Sequence, residues 1–187
     1  GCSTEINTNP RLKMASISKH NKDILDVGLV KFVKGLKVIN QTIYYLNPYD
    51  IKLSTSDYIS YDMQSYYKYI LNIEGNVAAY RFFTLFYAKS VVINVKSDYY
   101  MWLEPLLKHK LNYIVIPKNF TENTIKHVLN ILKTKDEQAK KIASNGRLFY
   151  DKYMNKRTVG EYLHKLCIRF NKLQYKRYTK NILHKPI

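Results

Sequence analysis

Lys68-Tyr69-Ile70-Leu71-Asn72-Ile73-Glu74-Gly75-Asn76-Val77-Ala78-Ala79-Tyr80-Arg81 joins a short apolar run to a glycine turn and then to a second apolar segment. Tyr69 to Ile73 predicts a strand that stops at Glu74-Gly75-Asn76. Val77 to Lys89 then carries Ala78, Phe82, Leu85 and Phe86 at helical spacing. The pattern repeats. Ser90 to Val95 is a β-branched run typical of a buried strand, Asp98 to Leu107 reads as an amphipathic helix, and Tyr113 to Ile116 is a third strand closed by Pro117. Thr121 to Lys133 resumes a helical pattern through Ile125, Val128, Leu129 and Leu132. Alternating strands and helices are the signature of βαβ units on a parallel sheet. The strands are continuous apolar runs, as expected when helices cover both faces of the sheet. The fold class is therefore α/β, with a Rossmann-like parallel sheet.

The flanks are less regular. A polar start ends at Pro10, and a short helix from Arg11 to about Ser18 follows from proline's tolerance at a helix start. Ile24 to Val38 has no clean period. Thr42 to Tyr45 predicts a short strand, Leu46 to Asp50 a turn, and Tyr58 to Tyr67 a half-exposed stretch rich in tyrosine. Thr134-Lys135-Asp136-Glu137 has the spacing of a capping box. The helix it would start carries Ala139, Ile142 and Ala143 inward, with Asn145-Gly146 as a break or kink. A further helix from about Thr158 to Leu173 would turn Tyr162, Leu163, Leu166 and Phe170 inward. From Asn155 onward there are nine Lys or Arg and one acid, Glu161. These features divide the chain into a Rossmann-like domain over residues 1–153 and a basic C-terminal helix and tail over 154–187.

The 187 residues suffice for one ordinary domain with a substantial core. A hydrophobic content of 46% argues against wholesale disorder. No window resembles a transmembrane helix. No charged-then-apolar leader opens the chain, which starts at Gly1 and could be a piece of something longer. The 31 basic residues against 14 acids give a net charge of +17, a field that attracts phosphate-bearing partners. Only six of the 31 are Arg, however, and an AT-rich coding bias toward Lys, Asn, Ile and Tyr accounts for much of the excess. Cys2 and Cys167 could pair, but their spacing does not show it, and no Cys/His cluster suggests a metal. Asn40-Gln41-Thr42 and Asn119-Phe120-Thr121 fit the N-glycosylation pattern, which arises often by chance in an Asn-rich chain.

The chemistry concentrates in the Gly75 loop. A loop between a strand and a helix presents free N–H groups and a positive dipole end to an anion. Gly75 admits close approach, Ala78 and Ala79 leave room, and Arg81 adds a planar charged fork. The bland alternative is a simple turn beside a solvated arginine, since neither GxGxxG nor GxxxxGK[ST] is present.

The run Lys68 to Phe82 resembles the most characteristic segment of glycosyltransferase family 90. This is the group of the CAP-type xylosyltransferases of fungi and the KDEL-motif-containing and Rumi-like protein O-glucosyltransferases of animals. The likeness continues through Ser90-Val91-Val92-Ile93, Tyr99-Tyr100, Glu104 to Lys108, Asn112 to Pro117, Asp136 to Ala139 and Ile142 to Gly146. Upstream, Arg11-Leu12-Lys13, Ser18-Lys19 and Leu25 to Gly28 also fit, so the resemblance spans about Gly1 to Tyr153. It implies the C-terminal, donor-binding half of a GT-B enzyme, which grips UDP-glucose or UDP-xylose and transfers the sugar, with inversion, to a hydroxyl of a protein or glycan acceptor. On that resemblance Asn76, Val77, Ala78 and Arg81 hold the diphosphate, and Asn94, Val95, Lys96, Ser97 and Asp98 line the nucleoside side. The loop Gly1-Cys2-Ser3-Thr4 with Arg11 matches a further donor loop through Thr4 and Arg11. It departs from the pattern in having Cys2 at a basic position and a longer gap before Arg11.

The resemblance implies no metal and no other cofactor. The catalytic base is expected in an N-terminal GT-B domain with no counterpart here; Glu74 and Asp98 read as hydrogen-bonding or loop residues. A member that follows the family works in the ER or Golgi lumen. The readings left open are an enzyme fragment or degenerate enzyme, a non-catalytic nucleotide-binding module, and a basic nucleic-acid-binding module. The tyrosine pairs match no known nucleic-acid reader, and no nucleic acid is expected.

Overall fold

The computed structural model describes residues 9–32, 36–39, 42–45, 52–75 and 78–183. The order begins with helix α1 (Pro10–His20), the antiparallel strands β1 (Leu36–Ile39) and β2 (Thr42–Tyr45), and a single turn of helix, α2 (Tyr61–Gln64). Strands β3 (Tyr69–Asn72), β4 (Val91–Val95) and β5 (Ile114–Ile116) follow, and helices α3 (Glu122–Thr134), α4 (Asp136–Tyr153) and α5 (Lys156–Leu183) close the chain. The result is a mixed α/β fold on a three-stranded parallel sheet in the order β3-β4-β5. Thr4, Asn76, Val77, Cys2 and the Leu46–Asp50 turn lie outside the described residues, as do Gly1 and Ser3.

Helix α1 starts where its caps require. Asn9 Oδ1 accepts hydrogen bonds from Arg11 N–H at 3.0 Å and Leu12 N–H at 3.4 Å, and Pro10 occupies the first turn. The central strand β4 is buried along its whole length. Its alternation splits the core into two layers. Val91, Ile93 and Val95 face Met14, Ile125, Leu129 and Ile142, whereas Val92 faces Phe82, Phe83, Phe86 and Phe149. Two apolar layers on opposite faces explain why these strands read as unbroken apolar runs.

The crossovers differ from the sequence expectation. Among the described residues of 78–89 there is no α-helix; two 3-10 turns, Tyr80–Phe82 and Thr84–Ala88, precede β4. The buried residues are Phe82, Phe83, Leu85 and Phe86, which align as the pairs 82/85 and 83/86, and a repeat of three is that of a 3-10 helix. Lys89, at φ 56°, ends the second turn. Asp98–Leu107 is likewise mostly irregular, with one 3-10 turn at Glu104–Leu106. Pro105 sits inside that segment, where it removes a helical donor and clashes with the preceding turn.

Three further expectations are corrected. Thr134 does not cap α4: it remains in α3, its hydroxyl donating back to Asn130 C=O at 2.9 Å and Ile131 C=O at 3.1 Å. The capping box forms instead at Thr121 with Thr124. Gly146 does not break α4, which runs through it; a Cβ there would lie 2.8 Å from Phe86 Cδ1 and 2.9 Å from Asn112 O, so the glycine lets helix and turn pack closely. Finally, Tyr162, Leu163, Leu166 and Phe170 on α5 are exposed rather than inward. Tyr162 alone of these stacks on a neighbour, its ring centroid 4.5 Å from that of Trp102. Among the described residues no helix is long and apolar enough to cross a membrane.

Candidate functional site

The carboxyl ends of β3, β4 and β5 gather the polar side chains that the sequence singled out. Ligands of parallel α/β sheets bind at this end, because the loops there diverge and leave a crevice. Arg11, on the first turn of α1, reaches across to the end of β3. Its Nε donates to Glu74 C=O at 3.1 Å and Ile73 C=O at 3.3 Å, and its Nη2 donates to Ile73 C=O at 3.2 Å. Gly75 lies directly over this guanidinium: a Cβ at Gly75 would be 3.1 Å from Nη2 and 3.2 Å from Cζ. The glycine's φ is not positive, so it is required here for space rather than for backbone freedom.

Arg81 follows the same loop, in the first 3-10 turn, and its Nε is buried without a hydrogen-bond partner. Burial lowers the pKa of Arg11, the adjacent positive charge of Arg81 lowers it further, and Glu74 opposes both. Two guanidinium groups that repel each other, one of them packed under Gly75, are an arrangement whose electrostatic strain an anion would relieve. The expected helix N-terminus is absent among the described residues: Ala79 leads into a 3-residue 3-10 turn, not an α-helix. The positive potential comes from side chains.

Around this pair lie carboxylates. Burial raises the pKa of Glu74, and the negative charges of Glu104 and Asp98 raise it further, while Arg11 and Lys118 pull it down. Asp98 is ion-paired with Lys118. Glu104 accepts a hydrogen bond from Met101 N–H at 3.2 Å. Lys118 and Glu104 were missed in the sequence reading. Lys118 follows Pro117 at the end of β5, so the rule that drew attention to the loops after β3 and β4 also points to the loop after the third strand.

The remaining expected residues divide. Ala78 is half-buried at the loop, and Lys96, Ser97 and Asp98 emerge at the end of β4, with Ser97 Oγ accepting from Tyr99 N–H at 2.9 Å. Asn94 and Val95 are different. Val95 points into the apolar core. Asn94 Oδ1 accepts from Asn72 Nδ2 at 2.8 Å, a buried cross-strand amide pair that also leaves Asn72 Oδ1 without a partner. Their side chains are engaged with the sheet, not displayed to solvent. Among the described residues no group of three or more His, Cys, Asp or Glu is arranged to hold a metal ion.

The family model described as glycosyl transferase family 90 matches residues 5–184. The chain belongs to that family. Its relatives include the protein O-glucosyltransferase 3 of Mus musculus, 30% identical over 74% of this chain and 25% of its own length, and the protein O-glucosyltransferase 2 of Danio rerio, 30% identical over 88% and 30%. Uncharacterized protein 035R of Invertebrate iridescent virus 3 is 27% identical over 87% of this chain and 15% of its own length. The chain thus spans only 15% to 30% of the length of these relatives. Within the family match fall α1, the parallel sheet and all the crest residues described above, from Arg11 to Lys118.

Proposed function

We propose that this chain is the donor-binding half of a GT-B glycosyltransferase, a Rossmann-like domain that holds the diphosphate of a UDP-sugar between Arg11 and Arg81. The observation that carries the reading is the Arg11 guanidinium packed under Gly75 and close enough to Arg81 to feel its charge, with Arg81 Nε buried and unpartnered. Ala78 and the neighbouring Asn76 and Val77 complete the diphosphate loop, and Lys96 to Asp98 line the nucleoside side. Thr4 belongs to the same donor grip. Asn94 and Val95 serve by shaping the strand end.

In an inverting transfer the sugar's anomeric bond to the β-phosphate oxygen breaks as the acceptor oxygen attacks from the opposite face. Negative charge grows on the departing UDP. A fixed pair of guanidinium groups is worth most at that moment, because its dipoles and charges are already oriented. That charge compensation takes the place of a metal. The proton of the acceptor hydroxyl goes to a carboxylate supplied by a further domain. The donor is UDP-glucose or UDP-xylose, the acceptor is a protein or glycan hydroxyl, and the reaction belongs in the secretory lumen.

Thermal denaturation with added UDP, UDP-glucose or UDP-xylose tests the donor reading. A ligand at 100 times its Kd adds about 2.7 kcal/mol to stability, which for a chain of this size raises Tm by roughly 5–10 °C. Arg81→Ala removes the shift. A wild-type chain whose Tm does not respond to any of the three ligands rejects the proposal.

A further inference from the structure

The sheet face beneath α3 is not filled to its edge by side chains. A cavity of about 330 Å³ lies there, at the lower end of the roughly 300–1,000 Å³ range of small-molecule sites. Leu71 of β3, Ile93 of β4 and Ile116 of β5 line it from the sheet, Ile125 and Val128 from α3, and Val27 from the loop after α1. Val30 and Tyr58 also line it and are exposed, so the cavity reaches the surface.

Much of its polar lining is already engaged. The Tyr67 hydroxyl donates to Asp26, Gln64 Nε2 donates to Ile59 C=O at 2.8 Å, and Lys68 is ion-paired with Asp136. Two lining residues keep a buried polar atom without a partner, Arg81 at Nε and Tyr69 at its hydroxyl. Tyr69 opens β3, whereas Arg81 lies near Arg11 at the carboxyl end of that strand. A charged donor left unmatched costs more than a neutral one, so Arg81 sets what the cavity asks of a ligand.

Three occupants fit poorly. A buried water needs about two to four polar partners, which walls of Leu, Ile and Val do not supply. A neutral apolar molecule fills the space and leaves Arg81 Nε unpaired. A nucleotide would press its own polar groups against apolar walls. An apolar tail with an anionic head meets both demands: the head accepts charge-assisted hydrogen bonds from the guanidinium, and the tail supplies the contacts that the walls lack. We propose that this cavity binds a free apolar monocarboxylate, of the class of a medium-chain fatty acid, with its carboxylate on Arg81 and its tail under α3. The site goes beyond the donor reading and does not require it.

Calorimetric titration of the 187-residue chain with octanoate, and separately with octanol, tests the proposal, since the two share a tail and differ in the head. Octanoate is expected to bind at least about tenfold tighter than octanol. In the wild-type complex, intermolecular NOEs place the tail against the methyl groups of Leu71, Ile93 and Val128. Arg81→Met keeps an apolar stem and deletes the guanidinium; it is expected to lower octanoate to the affinity of octanol and to leave octanol unchanged. No saturable octanoate binding below about 1 mM overturns the proposal. So does octanol that binds as tightly, or a tail whose NOEs fall only on methyl groups outside the cavity. A folded Arg81→Met chain that keeps the octanoate affinity overturns it as well, and the wild-type measurements decide the matter should that variant not fold. A parallel titration with UDP keeps the two readings apart: octanoate binding in a chain that ignores UDP upholds this site and rejects the donor reading, and UDP binding without octanoate binding does the reverse.

Discussion

Gly75→Ala separates the stability of this fold from its capacity to hold an anion. The new Cβ would sit 3.1, 3.2 and 3.4 Å from Nη2, Cζ and Nη1 of Arg11. Those contacts are a few tenths of an ångström too short, so the guanidinium must retreat. It is held by three hydrogen bonds of 3.1 to 3.3 Å to Ile73 and Glu74 carbonyls, already long, and retreat breaks or weakens them. Losing about two net bonds costs about 1–2 kcal/mol. The backbone is not strained by the alanine, because φ is not positive, and a less flexible unfolded chain returns about 0.4–1 kcal/mol. The net loss is therefore about 0–1.5 kcal/mol, a fall in Tm of at most about 6 °C for a chain of this size. Anion binding suffers more. The methyl occupies the approach to Arg11 and displaces one of the two guanidinium groups, for which a tenfold weaker Kd for UDP, about 1.4 kcal/mol, is the expected minimum. Paired scanning calorimetry and isothermal titration with UDP measure both quantities. An unchanged Kd in a folded variant would refute the placement of the phosphate at Gly75. A large loss of stability would instead show that Arg11 is chiefly a structural strap.

Three other predictions follow from specific contacts. Burial and the nearby Glu104 and Asp98 charges raise the Glu74 pKa, so its contribution to stability is present at low pH and is lost as pH rises through the raised value. Accordingly Glu74→Gln stabilises the chain at pH 7 and binds UDP a few-fold tighter there, and both advantages fade in parallel titrations as pH falls through the raised Glu74 value. Asn94→Ala strips the buried Asn72 amide of its partner and costs about 1–3 kcal/mol, read as a lower midpoint in urea with an unchanged slope; an unmoved midpoint would mean that the pair is energetically idle. Gly146→Ala drives a methyl to within 2.9 Å of the Asn112 carbonyl and against Phe86. A loss of about 1–3 kcal/mol by thermal melt is expected, more than Gly75→Ala despite alanine's higher helix propensity.

The strands were readable because burial on both faces leaves a local mark: Tyr69–Asn72, Val91–Val95 and Ile114–Ile116 are each near-continuous apolar runs. Helices α3 and α4 were readable for the same reason, through apolar residues at helical spacing. The crossovers were not. Phe82, Leu85 and Phe86 satisfy an α period about as well as a 3-10 period over so short a span, and which one forms depends on how the phenylalanines meet Phe149 of α4. Asn145-Gly146 reads as a break until Phe86 and Asn112 are placed against it. The apolar face of α5 reads as inward, although the described residues offer it little to pack against.

The order of apolar strands and helices, together with the motif from Lys68 to Arg81, determined the fold class and the family, since both are properties of residue type and spacing along one chain. Only the tertiary structure decided which charged side chains meet there. It removed the helix dipole from the Gly75 loop, brought Arg11 across from α1 to Arg81, and turned Asn94 into a structural amide. These depend on which side chains meet at the end of the sheet, and contacts between residues 62 positions apart leave no periodic trace in the sequence.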